Sequence, residues 1–291
     1  MYKSIQIFFS ALLLVHTFSY PLSIAITIDD YPLPHGKLFT LEKRTQKFIE
    51  AGKIFNCSIA FFCVGSYHLE RGQDELIYQL MEAGHFIANH SLTHPASSTL
   101  TPEQFKEEIV ATERILSFYY HYKYWFRYPG LDYGHLEARG GSAKKKKMFE
   151  NILEELNYKD GYVTIDSYDW YINKKLSNAL KEEKSIDYTK LRDFYVGLIE
   201  DRIKFYEKAY EETFSEPIIH TLLLHDNDLT ALYLKDILAM IQKNGWLLVS
   251  PEYSFAETEW HKDMSVFYAK KFAWISFIEV GQHFDDADII Q

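Results

Sequence analysis

The feature that most constrains the fold is a regular alternation between short apolar runs and longer amphipathic stretches. The apolar runs 22–28, 58–64 and 218–224 have the length of buried strands, and the stretches 40–51 and 231–243 repeat their apolar residues with a helical period. Strands that alternate with helices are usually parallel and are joined by right-handed crossovers. The alternation predicts an α/β fold, either an open doubly wound sheet or a barrel, and local pattern does not decide between them. The seven predicted strands are 22–28, 58–64, 86–89, 124–128, 162–166, 218–224 and 246–250.

Local signals place further helices between these strands. Thr101, Pro102 and Gln104 form a capping box with proline at the first helical position, so we expect a helix to begin there. The chain shows no internal repeat and no linker rich in Pro, Gly or Ser, which predicts a single domain over 21–291. Its last part, 261–291, has weak periodicity, and we expect it to wrap around the domain. The other predicted helices are 74–83, 143–156 and 189–213.

The first 20 residues resemble a secretory leader. Lys3 precedes an apolar stretch over 5–15, and the small residue Ser19 follows near a cleavage point. That stretch is too short to be a typical membrane span, so we expect no stable span once the leader is removed. The pattern predicts a signal peptide over 1–20 and a secreted or periplasmic protein. A buried first strand or helix is the alternative.

Charge and cysteine content limit the possible partners. A net charge of −10 argues against nucleic acid, which needs a basic binding face. The one basic run, 144–147, is interpreted as the solvated start of a surface helix. Cys57 and Cys63 fall in one predicted strand about 20 Å apart, which is beyond disulfide reach. We therefore expect buried thiols and a neutral or cationic partner.

Unusual polar residues follow the predicted strands at their carboxyl ends. In α/β folds this edge is where binding and catalytic sites are built. The sequence thus predicts one site assembled from several strands. The residues concerned are Asp29 and Asp30, His90 and His94, Arg127, Asp166 and Asp169, and His225.

Two of these groups suggest a metal centre. His90 and His94 are four residues apart, so on a helical turn they would share one face and could bind one ion. Asp29 and Asp30 are adjacent carboxylates. Their negative charges repel each other, and a bound cation would compensate for this repulsion. One aspartate and two histidines leave an open position for water, which is the arrangement of a catalytic site. Surface or core histidines and a turn of two aspartates are the alternatives.

The remaining groups can complete such a site. The aspartate that does not bind the ion could act as a base, and Arg127 could hold it ionised. Spacing does not decide which aspartate has which role. Arg127 could also cover a sheet edge, His225 could be a core histidine after an apolar strand, and Asp169 could be a turn residue beside Trp170.

Five ordered motifs resemble those of the polysaccharide deacetylases, the NodB homology domain of carbohydrate esterase family 4. The resemblance implies a distorted (β/α) barrel with about seven parallel strands over 21–291. It implies an enzyme that removes N-acetyl groups from a GlcNAc-containing polysaccharide, such as peptidoglycan or a chitin-like polymer, and releases acetate. It also implies a divalent metal, with zinc first and cobalt or nickel as alternatives. The motifs are TIDD (27–30), HSLTH (90–94), RYPG (127–130), DSYDW (166–170) and LLH (223–225).

The same resemblance implies a role for each matching residue. Asp30, His90 and His94 would bind the metal, and Asp29 would be the catalytic base tethered by Arg127. His225 would be the general acid, which Asp169 orients. Binding of the substrate and of the reacting oxygen would involve Trp170, Leu223 of the acetate pocket and the backbone N–H of Gly130.

Two positions depart from the family pattern. Tyr31 and Pro32 stand where the family usually has a glycine after the second aspartate, so the first loop must take another path. Gly130 stands where the family often has tyrosine, which removes a side chain and keeps the backbone N–H.

Other functions remain open at this stage. The same scaffold could carry an O-acetyl esterase acting on xylan or a cyclic amidohydrolase. Two histidines and a carboxylate also bind non-haem iron in oxygenases, but such enzymes need no dedicated acid and base. An inactive carbohydrate-binding module is the last alternative.

Overall fold

The computed structural model describes residues 21–71, 74–214, 218–256 and 277–290. The predicted signal peptide and the segment 257–276 lie outside these residues. The strands are β1 (Ser23–Tyr31), β2 (Ile59–Cys63), β3 (Phe86–Asn89), β4 (Tyr122–Phe126), β5 (Lys159–Asp160), β6 (Ile165–Asp166), β7 (Ile219–His225) and β8 (Leu247–Leu248). The helices are α1 (Leu41–Phe55), α2 (Gly65–Arg71), α3 (Asp74–Glu82), α4 (Pro102–Leu116), α5 (Ala143–Glu155), α6 (Asp169–Lys181), α7 (Tyr188–Phe214), α8 (Asp228–Lys243), α9 (Pro251–Ser254) and α10 (Phe277–Asp286).

The strands form one parallel, curled sheet in which β1 is central. Seven strands follow the order β5-β4-β3-β2-β1-β7-β6, and β8 pairs with the first two residues of β1. Every strand pair in this sheet is parallel. The predicted distorted barrel with about seven parallel strands is thus confirmed, as a curled sheet in which the edge strands β5 and β6 do not pair with each other. No helix of the described residues is long and apolar enough to cross a membrane.

The sheet has a seam where one strand was predicted. Of the expected strand 162–166, only the last two residues form a strand, β6, which pairs with β7. The short strand β5 precedes the expected range and pairs with β4. The chain crosses from one to the other through Gly161–Thr164, with Gly161 N–H donating to the Phe126 carbonyl at 2.8 Å and Thr164 N–H to the Thr221 carbonyl at 3.2 Å. A β-carbon on Gly161 would lie 2.6 Å from the Phe62 ring, so only glycine fits there.

Most predicted helices agree with the structure within a few residues. Thr101 and Gln104 form the expected capping box at the start of α4. Helix α6 was missed because it lacks a start signal: Tyr168 precedes it in the left-handed conformation, with φ 53°, and makes no side-chain cap. Of the predicted C-terminal wrap, α10 lies against α6, where Lys175 and Asp285 form an ion pair of 2.6 Å.

Buried aromatic rings fill the inside of the sheet. Phe255, which follows α9, contacts Phe62, Trp125 and Tyr162 with ring centroids 4.8–6.2 Å apart. This agrees with the expectation that most aromatic residues serve packing. Cys57 and Cys63 are free and buried, as predicted, although Cys57 lies before β2 and not within the strand.

The loop after β1 is held in place by acidic residues that follow β7. Leu33 N–H donates to Asp226 at 2.8 Å, and the Arg44 guanidinium donates to the same carboxylate at 2.7 Å. Asp228 accepts the backbone N–H groups of residues 37–39 at 2.6–3.2 Å. Gly36 is required for this approach, since its β-carbon would lie 2.1 Å from an Asp228 oxygen. The path of the loop that departs from the family pattern is thus set by β7 and its following turn.

Candidate metal centre and catalytic site

A bulge at the end of β1 directs two consecutive aspartates into one cleft. Neighbouring side chains of a regular strand point to opposite faces. Here the register shifts between Ile28 and Tyr31, and Asp30 has a φ of 64°. Both carboxylates therefore approach the same imidazole: the His90 Nε2 atom lies 3.7 Å from Asp29 and 3.5 Å from Asp30.

The two histidines meet across a bent loop. The helical turn expected for residues 90–94 is wrong, because Ser91 and His94 have positive φ values of 65° and 58° and the segment contains no helix. The bend still brings the rings together, with centroids 4.8 Å apart. His94 Nε2 lies 3.1 Å from the Oδ1 atom of Asp30.

The geometry of these three residues fits a divalent ion. Asp30 Oδ1 is buried, and no described group donates a hydrogen bond to it. His90 Nδ1 donates to the Arg127 carbonyl at 2.8 Å, which leaves its Nε2 lone pair facing Asp30. The three potential ligand atoms lie within 4.8 Å of one another. The ligand atoms of a tetrahedral zinc site are about 3.3 Å apart, and the contacts of Asp30 with His90 and His94, at 3.5 and 3.1 Å, are close to this spacing.

Electrostatics at the three residues favour a bound cation. Burial disfavours the charged form of Asp30, but the neighbouring imidazoles of His90 and His94 hold its pKa well below the usual value. Burial likewise lowers the pKa of His94, and the Asp30 carboxylate more than offsets this, so the pKa is raised. Protons therefore compete with a metal for His94, while Asp30 stays ionised.

Asp29 forms a buried pair with Arg127. The Nη1 atom of Arg127 donates to both oxygens of Asp29 at 3.0 and 3.1 Å. Arg127 has no exposed surface and Asp29 is 3 % exposed. The guanidinium also lies 4.2 Å over the Phe62 ring and donates to the Gly161 carbonyl in the seam. This arrangement fixes the orientation of the Asp29 carboxylate.

The partly buried His225 and the buried Asp169 form a second pair beside Asp29. The Nδ1 atom of His225 donates to Asp169 at 2.6 Å, so its Nε2 atom is the one that can act in the cleft. Asp169 also accepts hydrogen bonds from Ser167, Asn227, Thr230 and the His225 backbone. Burial lowers the pKa of His225, but Asp169 and the two aspartates of β1 together raise it to about 10. Asp29 and His225 are register partners in the sheet, which explains why the two pairs are neighbours.

The three residues expected to contact substrate lie on three separate elements. Trp170 is 43 % exposed on the first turn of α6, Leu223 is buried on β7, and Gly130 has a φ of 58° in the exposed loop after β4. Their roles stay predictions. A turn role was one interpretation of Asp169. In the structure Asp166 stabilises that turn, because its Oδ1 atom accepts the Tyr168 N–H at 3.0 Å.

Residues that support the site were missed by the sequence analysis. Glu108 of α4 accepts hydrogen bonds from the loop between the two histidines, and Asn89 accepts the Ser91 N–H at 2.9 Å. A glutamate on an amphipathic helix gives no signal of this kind in the sequence. Asp226 and Asp228 had a weak signal, as acidic residues that directly follow an apolar strand.

Comparison with known proteins finds a match to a described family. The polysaccharide deacetylase family model matches residues 20–142, a range that includes Asp29, Asp30, His90, His94 and Arg127 but ends before Asp169 and His225. The chitooligosaccharide deacetylase of a Bradyrhizobium species is 32% identical over 94 residues, which is 32% of this chain and 38% of that protein. The peptidoglycan-N-acetylglucosamine deacetylase of Bacillus cereus is 23% identical over 173 residues, which is 58% of this chain and 72% of that protein.

Solved structures share the fold over most of the chain. A family 4 carbohydrate esterase from Streptomyces lividans, in complex with acetate, has a TM-score of 0.52 and 18% identity and covers 80% of this chain and 95% of its own. A CE4 family pseudoenzyme from Bacillus anthracis has a TM-score of 0.54 and 16% identity and covers 78% of this chain and 63% of its own. At these low sequence identities, the two structures show that the fold is shared and show nothing further about this chain.

Proposed function

We propose that this chain, which the match over residues 20–142 identifies as a member of the polysaccharide deacetylase family, is a metal-dependent hydrolase that removes N-acetyl groups from a polysaccharide. The observation that carries the proposal is the position of three groups in one cleft. The Asp30, His90 and His94 cluster adjoins the Asp29–Arg127 pair, and the His225–Asp169 pair lies next to Asp29 in the sheet.

Asp30, His90 and His94 would hold the metal. Two imidazoles and one carboxylate suit zinc, with cobalt or nickel as alternatives. When bound, a divalent ion would polarise the acetamide carbonyl and lower the pKa of water.

Asp29 is the proposed general base. Its carboxylate accepts a proton from the attacking water, and the contact of Arg127 Nη1 with both carboxylate oxygens holds it in position. Because Arg127 is itself buried and anchored in the seam, the base is held on a rigid support. The Gly130 N–H is the proposed hydrogen-bond donor to the oxyanion that forms when the carbonyl is attacked.

His225 is the proposed general acid. With a pKa of about 10 it is protonated at neutral pH, and its hydrogen bond to Asp169 directs the Nε2 proton towards the cleft. That proton goes to the nitrogen as the carbon–nitrogen bond breaks. The products are acetate and a free amino sugar.

The proposed substrate is a neutral or weakly charged N-acetylated glycan. Trp170 offers a half-exposed ring on which a sugar face could stack, and Leu223 would contact the acetyl methyl group. The named relatives act on chitooligosaccharides and on peptidoglycan N-acetylglucosamine, which suggests these two glycans. We further propose that 1–20 is a signal peptide and that 21–291 is a catalytic domain exported to the periplasm or the cell exterior.

An O-acetyl esterase or a cyclic amidohydrolase would use the same groups, so substrate alone distinguishes them. A non-haem iron oxygenase needs no dedicated acid and base, so it would not explain the Asp29–Arg127 and His225–Asp169 pairs. An inactive binding module deserves a direct test, because one relative of the same fold is described as a pseudoenzyme. The residues proposed as metal ligands, base and acid are all present in this chain, which supports an active hydrolase.

The test is acetate release from chitooligosaccharides, peptidoglycan and acetylated xylan by the wild-type protein and by Asp29→Asn. We expect release from an N-acetylated glycan and a loss of at least about 100-fold in the variant, as is typical when a general base is removed. Release from xylan alone would favour the esterase. No release from any of the three substrates would contradict hydrolysis of acetylated glycans.

A further inference from the structure

We propose that Glu108 is a positioning residue for the metal centre. Its role would be to hold the loop between His90 and His94 in the conformation that presents both imidazoles to one ion. The inference rests on the proposed metal site. It adds to that site a supporting residue from helix α4.

Glu108 extends from α4 and accepts three hydrogen bonds from two consecutive loop residues. Its Oε2 atom accepts the N–H groups of Leu92 and Thr93 at 2.8 Å each. Its Oε1 atom accepts the Thr93 hydroxyl at 2.8 Å. Charge-assisted hydrogen bonds of this kind are stronger than neutral ones.

The loop needs such support because its backbone is strained. Ser91 and His94 both adopt left-handed φ values, of 65° and 58°, which non-glycine residues adopt only when the surroundings impose them. The carbonyl groups of Ser91 and Leu92 accept the N–H groups of Gly65 and Ser66, at 3.0 and 2.8 Å. Helix α2 thus holds the loop from one side and Glu108 holds it from the other.

His94 depends on this loop more than His90 does. The ring of His90 is anchored by the Arg127 carbonyl, and its backbone N–H donates to the Cys63 carbonyl at 2.9 Å. In the described part of the chain, the only polar contact of the His94 ring is the one with Asp30 at 3.1 Å, and the ring also lies edge-on to the His90 ring. The His94 backbone N–H donates to Ser91 Oγ at 3.0 Å. The position of the His94 ring therefore follows the loop backbone, which Glu108 fixes at Leu92 and Thr93.

The charge of Glu108 is less important in this proposal than its acceptor atoms. Glutamine at position 108 could accept both backbone N–H groups with its carbonyl oxygen, and its amide could donate to the Thr93 hydroxyl. Alanine would leave two N–H groups without an acceptor. Glu107, exposed on the same helix and paired with Arg114 at 3.7 Å, is a matched control.

The experiment measures zinc affinity of the metal-free protein by competition with a chromogenic chelator. We expect Glu108→Ala to weaken zinc binding about 10- to 100-fold, the usual loss for a residue that supports metal ligands. Glu108→Gln should stay within about threefold of the wild type, since it keeps its acceptor. Glu107→Ala should bind zinc like the wild type. Hydrogen exchange at the Leu92 and Thr93 amides of the metal-free protein should speed up in Glu108→Ala only.

The outcomes separate this inference from the metal site itself. If the wild type bound no zinc, or bound it as tightly after Asp30→Asn, the proposed site would be wrong. If the wild type bound zinc through Asp30 and Glu108→Ala bound equally well, Glu108 would have no positioning role. Equal losses in Glu108→Gln and Glu108→Ala would point to charge and overturn the proposal. Should Glu108→Ala not fold, Thr93→Val removes one of the three bonds and must still weaken binding measurably.

Discussion

At the scale of single residues, the cleft is built from charged groups whose partners come from distant parts of the chain. Asp29 of β1 pairs with Arg127 after β4, and His225 of β7 pairs with Asp169 of α6. Because these groups are buried, removing one member leaves the other as an uncompensated charge. Their contribution can therefore be measured as stability even without a substrate.

The Asp29–Arg127 pair gives the first prediction. Arg127→Met leaves the Asp29 carboxylate buried without its partner, and we expect a loss of about 3–5 kcal/mol in the free energy of unfolding. Urea denaturation measures it. The control is Lys106→Met, which breaks the exposed pair between Lys106 and Glu155 and should cost at most about 1 kcal/mol. Equal effects of the two substitutions would show that the Asp29–Arg127 pair is not buried as described.

The His225–Asp169 pair predicts a pH dependence of stability. The pKa of His225 rises from 6.5 to about 10 in the folded protein, so the pair stabilises the fold fully below pH 6.5. This contribution is lost as the pH rises from 6.5 to about 10. The difference in unfolding free energy between metal-free wild type and Asp169→Asn should therefore shrink over this interval. A difference that stays constant from pH 6.5 to 10 would mean that His225 is neutral in the fold.

The sequence allowed candidate site residues to be chosen, but it did not predict their geometry. The spacing of His90 and His94 suggested a helical turn, whereas the structure has a loop with two left-handed residues. Spacing also left Asp29 and Asp30 equivalent. In the structure Asp29 forms an ion pair with Arg127, whereas Asp30 faces the imidazoles of His90 and His94. Such differences depend on contacts between residues 98 positions apart, which local pattern does not contain.

At the scale of elements, the loop after β1 makes the next prediction. Gly36→Ala would place a β-carbon 2.1 Å from Asp228, so the loop or the carboxylate must shift. We expect a loss of about 1–3 kcal/mol, typical of overpacking, measured by urea denaturation.

A second glycine serves as the control for Gly36→Ala. Gly197 lies within α7, where a β-carbon would meet nothing within 4 Å. Gly197→Ala should therefore stabilise the protein by about 0.5–1 kcal/mol, because alanine favours the helix. If both substitutions changed stability in the same direction, the close contact between Gly36 and Asp228 would be in doubt.

Elements with strong periodicity were predicted best. Strand β2, with all five residues buried, and α4, with its capping box, match their predictions closely. The seam between β5 and β6 and the start of α6 were not foreseen. Both depend on backbone hydrogen bonds to strands that are distant in sequence or on a left-handed residue, and neither leaves a repeating pattern of apolar residues.

At the scale of the whole molecule, the order of strands in the sheet explains how the site is completed. The family match ends at residue 142, yet His225 comes next to Asp29 because β7 pairs with β1 along residues 23–29. The first half of the chain supplies the proposed metal ligands and base, and the second half supplies the proposed acid. The alternation of strands and helices predicted the class of fold, and the resemblance to the deacetylases selected the barrel.

We propose that Asp30, His90 and His94 hold one metal ion that supports deacetylation. The most direct measurement is acetate release from an N-acetylated chitooligosaccharide by chelated wild-type protein during titration with zinc. We predict that activity is lost after chelation, returns with zinc and saturates at about one equivalent per chain, as expected for one catalytic ion with three protein ligands. The same titration of His94→Ala should recover little activity at that ratio. Activity that survives complete removal of metal would contradict the account.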